Sequence, residues 1–190
     1  MPDRNTTPDT FAGWMRILKR VDGSILWLLD AVASFADNIR QHAESHGVAG
    51  ARILFAPDRK PSEHLARLSQ ADLFLDGLPY NAHTTASDAL WAGVPLITLA
   101  GRAFPGRVAA SLLHAAGLPE LITESQDDYE ALAVKLATDP AALAAVKQKL
   151  TRNSPLFDTD LFRRRIEAAY EEMWRVWLAD EKPKGFSVPR

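Results

Sequence analysis

Short apolar runs alternate with segments of helical periodicity along this chain, and that alternation restricts its fold more than any other feature. Residues 24–29, 53–55, 73–75 and 96–99 are nearly all apolar, and Leu121-Ile122 is a shorter fifth run. Between them, apolar residues recur every three or four positions, which predicts helices over 8–19, 35–46, 61–69, 84–91 and 104–116. Three more helices are expected over 127–138, 141–150 and 158–180. Short, wholly apolar runs suit strands buried on both faces of a parallel sheet, and strand–helix alternation closes such a sheet between helical layers. The expected fold is therefore α/β, a parallel sheet with helices on both faces and one long C-terminal helix. One domain over 8–180 is expected, with 1–7 and 181–190 as flexible termini.

A parallel sheet binds ligands beyond the carboxyl ends of its strands. The segments that reach that edge are 56–64, 76–85 and 99–107, so the polar candidates fall on one rim. The most telling stretch is 76–95, DGLPYNAHTTASDALWAGVP, in which a polar loop becomes a helix at His83-Thr84-Thr85. The first N–H groups of a helix have no internal partner and the dipole is positive there, so an anion, above all a phosphate, is stabilised at that end. Asp88 shares a face with Thr84 and Thr85 one turn on. The same spacing also fits a variant capping box, with Thr85 as N-cap and Asp88 reaching back.

His64 opens the helix after strand two, and Arg67 follows one turn later. An imidazole beside a guanidinium can stack on a base and hydrogen-bond its edge, although a surface histidine with a solvated arginine fits equally. Lys60, Arg102 and Arg107 are further cations on the rim. His42 and His46, four apart, read as a solvated helix face, because zinc would need a third ligand that the sequence does not offer. Asp158 and Asp160 read as helix capping. No metal and no cofactor are expected. No acid/base carboxylate pair and no nucleophile elbow appears, and Gly101 and Gly106 form no dinucleotide fingerprint.

Composition narrows the partners. The net charge of −2 gives no electrostatic case for nucleic acid or a polybasic membrane anchor. There are no cysteines, which removes disulfides and thiolate chemistry and is compatible with a cytoplasmic setting. No apolar run approaches a membrane span, and no signal core is present.

Residues 79–123, PYNAHTTASDALWAGVPLITLAGRAFPGRVAASLLHAAGLPELIT, resemble the C-terminal catalytic lobe of the O-GlcNAc transferase family, and the resemblance runs from about Pro8 to about Trp177. It rests on His83-Thr84-Thr85, Asp88, Leu90-Trp91-Ala92-Gly93, Pro95 and Arg107-Val108-Ala109-Ala110-Ser111. The resemblance implies a Rossmann-like lobe, the C-terminal half of a GT-B glycosyltransferase, with UDP-GlcNAc as sugar donor and protein Ser/Thr as acceptor. It implies that His64 and Arg67 contact uridine, that His83, Thr84 and Thr85 hold the diphosphate, and that Asp88 binds the ribose. No catalytic residue is carried over.

Two departures from the family accompany it. The N-terminal lobe that supplies a general base and acceptor surface in the family does not match any part of this chain. The lysine that neutralises the leaving diphosphate would fall near Asn5, where Arg4-Asn5-Thr6-Thr7 does not match it, and Pro61 stands where the family has a nucleotide-contacting lysine, one residue after Lys60. The expected role is the donor-binding lobe of such an enzyme, inactive alone, with a non-catalytic UDP-sugar-binding or interaction module as the alternative. The last helix carries an apolar stripe of Phe162, Ile166, Ala169, Tyr170, Met173, Trp174 and Trp177, which predicts docking on another lobe or self-association.

Overall fold

The computed structural model describes residues 6–29, 33–151 and 154–188. The chain separates into two compact units, 1–151 and 152–190.

In the first unit the order is α1 (Pro8–Arg20), β1 (Leu26–Leu29), α2 (Ala33–Ser45), β2 (Ile53–Ala56), α3 (Pro61–Leu68), β3 (Phe74–Leu75), α4 (Thr84–Trp91), β4 (Leu96–Leu99), α5 (Val108–Ala116), β5 (Ile122–Thr123), α6 (Gln126–Thr138) and α7 (Pro140–Lys149). Every strand pairing among the described residues is parallel. β1 pairs with β2, with Leu26 opposite Ile53, and β4 lies between β3 and β5. The expected parallel α/β architecture is thus present, with its strands in a two-stranded and a three-stranded group. β4 is the most deeply placed strand. Its Leu96 and Ile97 are fully buried, as are Leu113 of α5 and Leu118 and Leu121 in the turn that follows. Burying an aliphatic side chain of this size stabilises the fold by about 1.5–3 kcal/mol.

α1 starts as its sequence suggests. Thr7 is the N-cap, its Oγ1 accepting from the Thr10 N–H, and Pro8 occupies the first turn, where its missing donor is harmless. Phe11, Trp14, Met15 and Leu18 are buried on the expected stripe, and α1 packs on α6, where Arg16 pairs with Glu130 at 2.6 Å. The other end of α1 is closed by Arg52, which donates to the carbonyls of Leu18, Val21 and Ser24 at 2.7–2.9 Å. That one guanidinium satisfies carbonyls that a helix end leaves open and fixes where β1 begins.

Two expectations need correction. The 24–29 run is not buried on both faces. Leu26 is buried, but Ile25 and Leu29 are more than half exposed, and Trp27 and Leu54, paired across the strands, are exposed with them on one side. α2 packs against β2, and the guanidinium of Arg67 lies 5.6 Å above the Trp27 ring on the exposed side. The 104–116 helix also divides into a 3-10 turn, Phe104–Gly106, and α5 from Val108. The cause is a close approach of backbones. The Gly101 N–H donates to the Gly106 carbonyl at 2.7 Å, and a Cβ on Gly106 would stand 3.1 Å from the Pro79 carbonyl oxygen. α5 ends as expected at Gly117, whose φ of 76° is left-handed and costs glycine nothing.

The second unit is built on α8 (Thr159–Leu178). Asp158 is its N-cap, accepting from the Leu161 N–H at 2.8 Å as read, while Asp160 lies in the first turn and faces Arg163 at 3.9 Å. Arg163–Glu167 and Arg175–Glu172 pairs lie on its surface. Phe162, Tyr170, Met173, Trp174, Trp177 and Leu178 are all at least half exposed, and the Trp174 and Trp177 rings stack at 4.7 Å.

Candidate functional site

The carboxyl ends of β3, β4 and β5 lie side by side, because the three strands are parallel neighbours. The loop after β3 runs from Asp76 to the start of α4 and includes a cis Leu78–Pro79 peptide bond. It packs on the loop after β4, with the Asn81 N–H donating to the Pro105 carbonyl at 2.9 Å. His83 spans the same two loops. Its ring stacks on Tyr80 at 4.5 Å, meets Phe104 edge-on at 6.3 Å, and places Nε2 3.4 Å from the Pro105 oxygen. A carbonyl only accepts, so Nε2 carries the proton in that contact.

α4 begins at Thr84, with His83 as N-cap and no side-chain cap. This overturns the capping-box alternative: Thr85 lies inside the first turn, and Asp88 does not reach back to a helix start. The first helical bond runs from the Ser87 N–H to the His83 carbonyl at 3.1 Å. The N–H groups of Thr84, Thr85 and Ala86 therefore have no backbone acceptor among the described residues. Thr84 and Thr85 are exposed, and Asp88 is half-buried one turn on.

His64 and Arg67 come together on α3. The Arg67 Nη2 lies 3.2 Å from His64 Nδ1, and its Nη1 donates to the Pro57 carbonyl at 2.5 Å. A guanidinium only donates, so Nδ1 of His64 is the acceptor and Nε2 bears the hydrogen. Arg67 is thus held by the Pro57 carbonyl, the His64 ring and the Trp27 face. α3 packs against α4, so the imidazole–guanidinium pair and the open helix start occupy neighbouring elements.

The three helices that follow β2, β3 and β4 share an unusual start. α3, α4 and α5 have Lys60, His83 and Arg107 as N-caps, and none of the three has a side-chain cap. Lys60, Arg102 and Arg107 are exposed, and no ion pair involves them among the described residues. The Arg4 and Asn5 positions lie outside the described residues. His42 and His46 do more than solvate a helix face: His42 stacks on the buried Phe11 ring at 5.4 Å, and His46 Nδ1 lies 2.9 Å from the His42 carbonyl. No group of three or more possible metal ligands occurs among the described residues.

Sequence reasoning gave no role to Asp76, Tyr80, Phe104 or Trp27. Asp76 is buried, with Oδ1 accepting from the Ala82 N–H and Oδ2 from the Thr98 hydroxyl, both at 2.7 Å. Burial pushes its carboxyl up to about 6, while hydrogen bonds from Thr98, Ala82 and Gly77 and the nearby His83 hold it from rising further. The available signal was a lone acid closing an apolar strand. The His83–Phe104 and Arg67–Trp27 contacts join elements far apart in sequence and leave no periodic trace.

Residues 4–166 match the family model of glycosyl transferase family 41. The chain belongs to that family. It is 39% identical over 185 residues to the probable UDP-N-acetylglucosamine–peptide N-acetylglucosaminyltransferase SEC of Arabidopsis thaliana, covering 95% of this chain and 19% of that protein. It is 36% identical over 171 residues to the UDP-N-acetylglucosamine–peptide N-acetylglucosaminyltransferase of Caenorhabditis elegans, covering 88% of this chain and 15% of that protein. Among solved structures, a mutant of the Thermobaculum terrenum O-GlcNAc transferase superposes with a TM-score of 0.83 at 33% identity, over 90% of this chain and 34% of that one. This family 41 chain thus spans about a fifth or less of the length of these curated relatives. No helix among its described residues is long and apolar enough to cross a membrane.

Proposed function

We propose that this chain is the donor-binding part of a glycosyltransferase that moves N-acetylglucosamine from UDP-GlcNAc to serine or threonine of a protein. The observation that carries this reading is the open start of α4, with free N–H groups and the Thr84 and Thr85 hydroxyls, on a helix that packs against the one bearing the His64–Arg67 pair. In this reading His83, Thr84 and Thr85 hold the diphosphate, and the helix dipole stabilises its charge. The His64 Nε2–H donates to the uracil edge while Arg67 holds the ring in place, and Asp88 takes the ribose hydroxyls. The pyrophosphate leaves with the negative charge that forms as the glycosidic bond breaks, so groups that bind it also stabilise the transition state. No resident metal is needed for that role, and a cytoplasmic setting fits the cysteine-free sequence. Acceptor positioning and proton removal are assigned to chain outside these residues.

The exposed aromatic stripe of α8 fits the same reading as a surface covered by further protein, by another lobe or by a second copy. Light scattering over a concentration series checks this. A rising mean mass that Trp174→Glu reverses is the expected result, and a monomer at every concentration is the contrary one.

The test of the donor site is calorimetric titration with UDP of the chain and of His64→Ala and Thr84→Ala. Saturable binding weakened in both variants is expected. Binding that neither substitution alters would refute the residue assignments, and no binding by the folded chain would refute the donor site.

A further inference from the structure

The structure has two buried carboxylates on charged side chains among its described residues, Asp76 and Glu130. They are treated differently. Glu130 is paired with Arg16 at 2.6 Å. Asp76, 4% exposed, has no cation within ion-pair distance among the described residues and is held by neutral donors alone. A buried charge without a counter-ion is costly, and nothing in the packing requires a charge there.

Its bonds show where that charge acts. The Asp76 N–H donates to the Ile97 carbonyl at 3.1 Å, which anchors the residue to β4. Its own carbonyl accepts from the Tyr129 hydroxyl at 2.8 Å, and that oxygen in turn accepts from the Trp14 indole at 3.3 Å. The carboxylate then closes the six-residue loop. Oδ2 is tied to Thr98 of β4, while Oδ1 takes the N–H of Ala82, the residue immediately before the His83 cap of α4. One side chain therefore joins the core to the point where the chain turns into the anion-binding helix start. An ionised carboxylate accepts from both donors at once; in a neutral carboxyl or amide one side becomes a donor, so the Thr98 hydroxyl must reverse to accept and the Ala82 N–H keeps only a weaker, uncharged acceptor.

We propose that Asp76 is a positioning residue for the diphosphate: its carboxylate holds Ala82 and so aims the free N–H groups of Thr84, Thr85 and Ala86 at the ligand. This rests on the donor-site reading above. It makes Asp76 act through the loop rather than by touching the donor, and it gives the buried charge a purpose. The titratable groups that face it are His83, from its own loop, and Tyr129, from α6. Because burial places its carboxyl near 6 against an ordinary value of 3.8, the folded state prefers the protonated form. Stability from this group is present below the ordinary value and is lost as pH rises through about 6. Replacement by a neutral isostere then raises stability at neutral pH while loosening the loop.

The test compares UDP-N-acetylglucosamine binding by the chain and by Asp76→Asn at pH 7.5 and pH 5.0, with thermal unfolding of both. This donor is chosen because both its phosphates are esterified and keep a constant charge, whereas a terminal phosphate titrates near 6. At pH 7.5 Asp76→Asn is expected to bind about tenfold more weakly with a Tm above that of the parent, and at pH 5.0, where Asp76 is itself mostly neutral, the difference falls to about twofold. Equal affinity at pH 7.5 overturns the proposal and leaves the donor site standing. Weaker binding with a lowered Tm and no change in the ratio with pH also overturns it, since that is what a purely structural residue gives. No binding by the folded parent overturns the donor site and this inference with it. Should Asp76→Asn fail to fold, Thr98→Val removes a donor to the same carboxylate. It is expected to weaken binding at least about threefold, and unchanged affinity overturns the proposal.

Discussion

The α-helices whose starts lie among the described residues begin in two ways. α1, α6, α7 and α8 start on Thr7, Ser125, Asp139 and Asp158, and each of these side chains accepts a hydrogen bond from the first turn. α3, α4 and α5 start on Lys60, His83 and Arg107 with no side-chain cap. The second group consists of the helices that follow β2, β3 and β4. The Lys60 and Arg107 cations oppose the dipole at their helix starts, by about 0.3–1 kcal/mol, and all three starts forgo a side-chain cap worth about 1 kcal/mol. In the proposed donor-site reading, an anion completes these starts. The capped helices are finished by their own sequence.

The comparison can be broken most forcefully at Thr84. Thr84→Ala removes a hydroxyl with no hydrogen-bond partner among the described residues, so unfolding stability changes little, while UDP binding falls by about 10- to 100-fold for the loss of a charge-assisted bond worth about 1.5–3 kcal/mol. Parallel titration and denaturant unfolding check both halves of that statement. Asp139→Ala is the mirror image. It deletes the cap whose Oδ1 accepts from Ala141 and Ala142 at 3.0 Å, costs about 1 kcal/mol of unfolding stability, and leaves UDP affinity where it was. The smallest effect is expected at the cationic caps. Lys60→Ala and Arg107→Ala each raise stability by a few tenths of a kcal/mol and weaken UDP binding a few-fold, and the binding loss shrinks as salt screens these exposed charges. Titrations at low and high ionic strength would sharpen the contrast, because a capped helix has no such salt dependence.

Much of this was legible before any coordinates. α4 and β4 fall at 84–91 and 96–99 as read, since a polar-to-apolar change and Gly93-Val94-Pro95 mark their limits on a local scale. The pairing of His64 with Arg67 follows from one helical turn. What the sequence pattern missed was decided at long range. The helix after β4 starts late because Gly101 and Gly106 meet backbone to backbone, and a glycine does not announce which partner it approaches. β1 read as doubly buried because its residues are apolar, yet whether a second layer covers Trp27 and Leu29 depends on chain elsewhere. The capping box failed because Ser/Thr-x-x-Asp spacing describes a helix start only if the chain turns at the first residue. Here the Asp76–Ala82 bond turns it two residues earlier, at His83. That bond crosses six residues of loop and has no periodic signature.

The central claim is that the α4 start is an anion site while the capped starts are not. It is tested most directly by adding pyrophosphate to the isotope-labelled chain and following backbone amide shifts. Saturable shifts at Thr84, Thr85 and Ala86, with none at Asp128 or Ala141 behind their caps, are the predicted result. Unmoved amides at 84–86, or equal shifts at the capped helices, would contradict it.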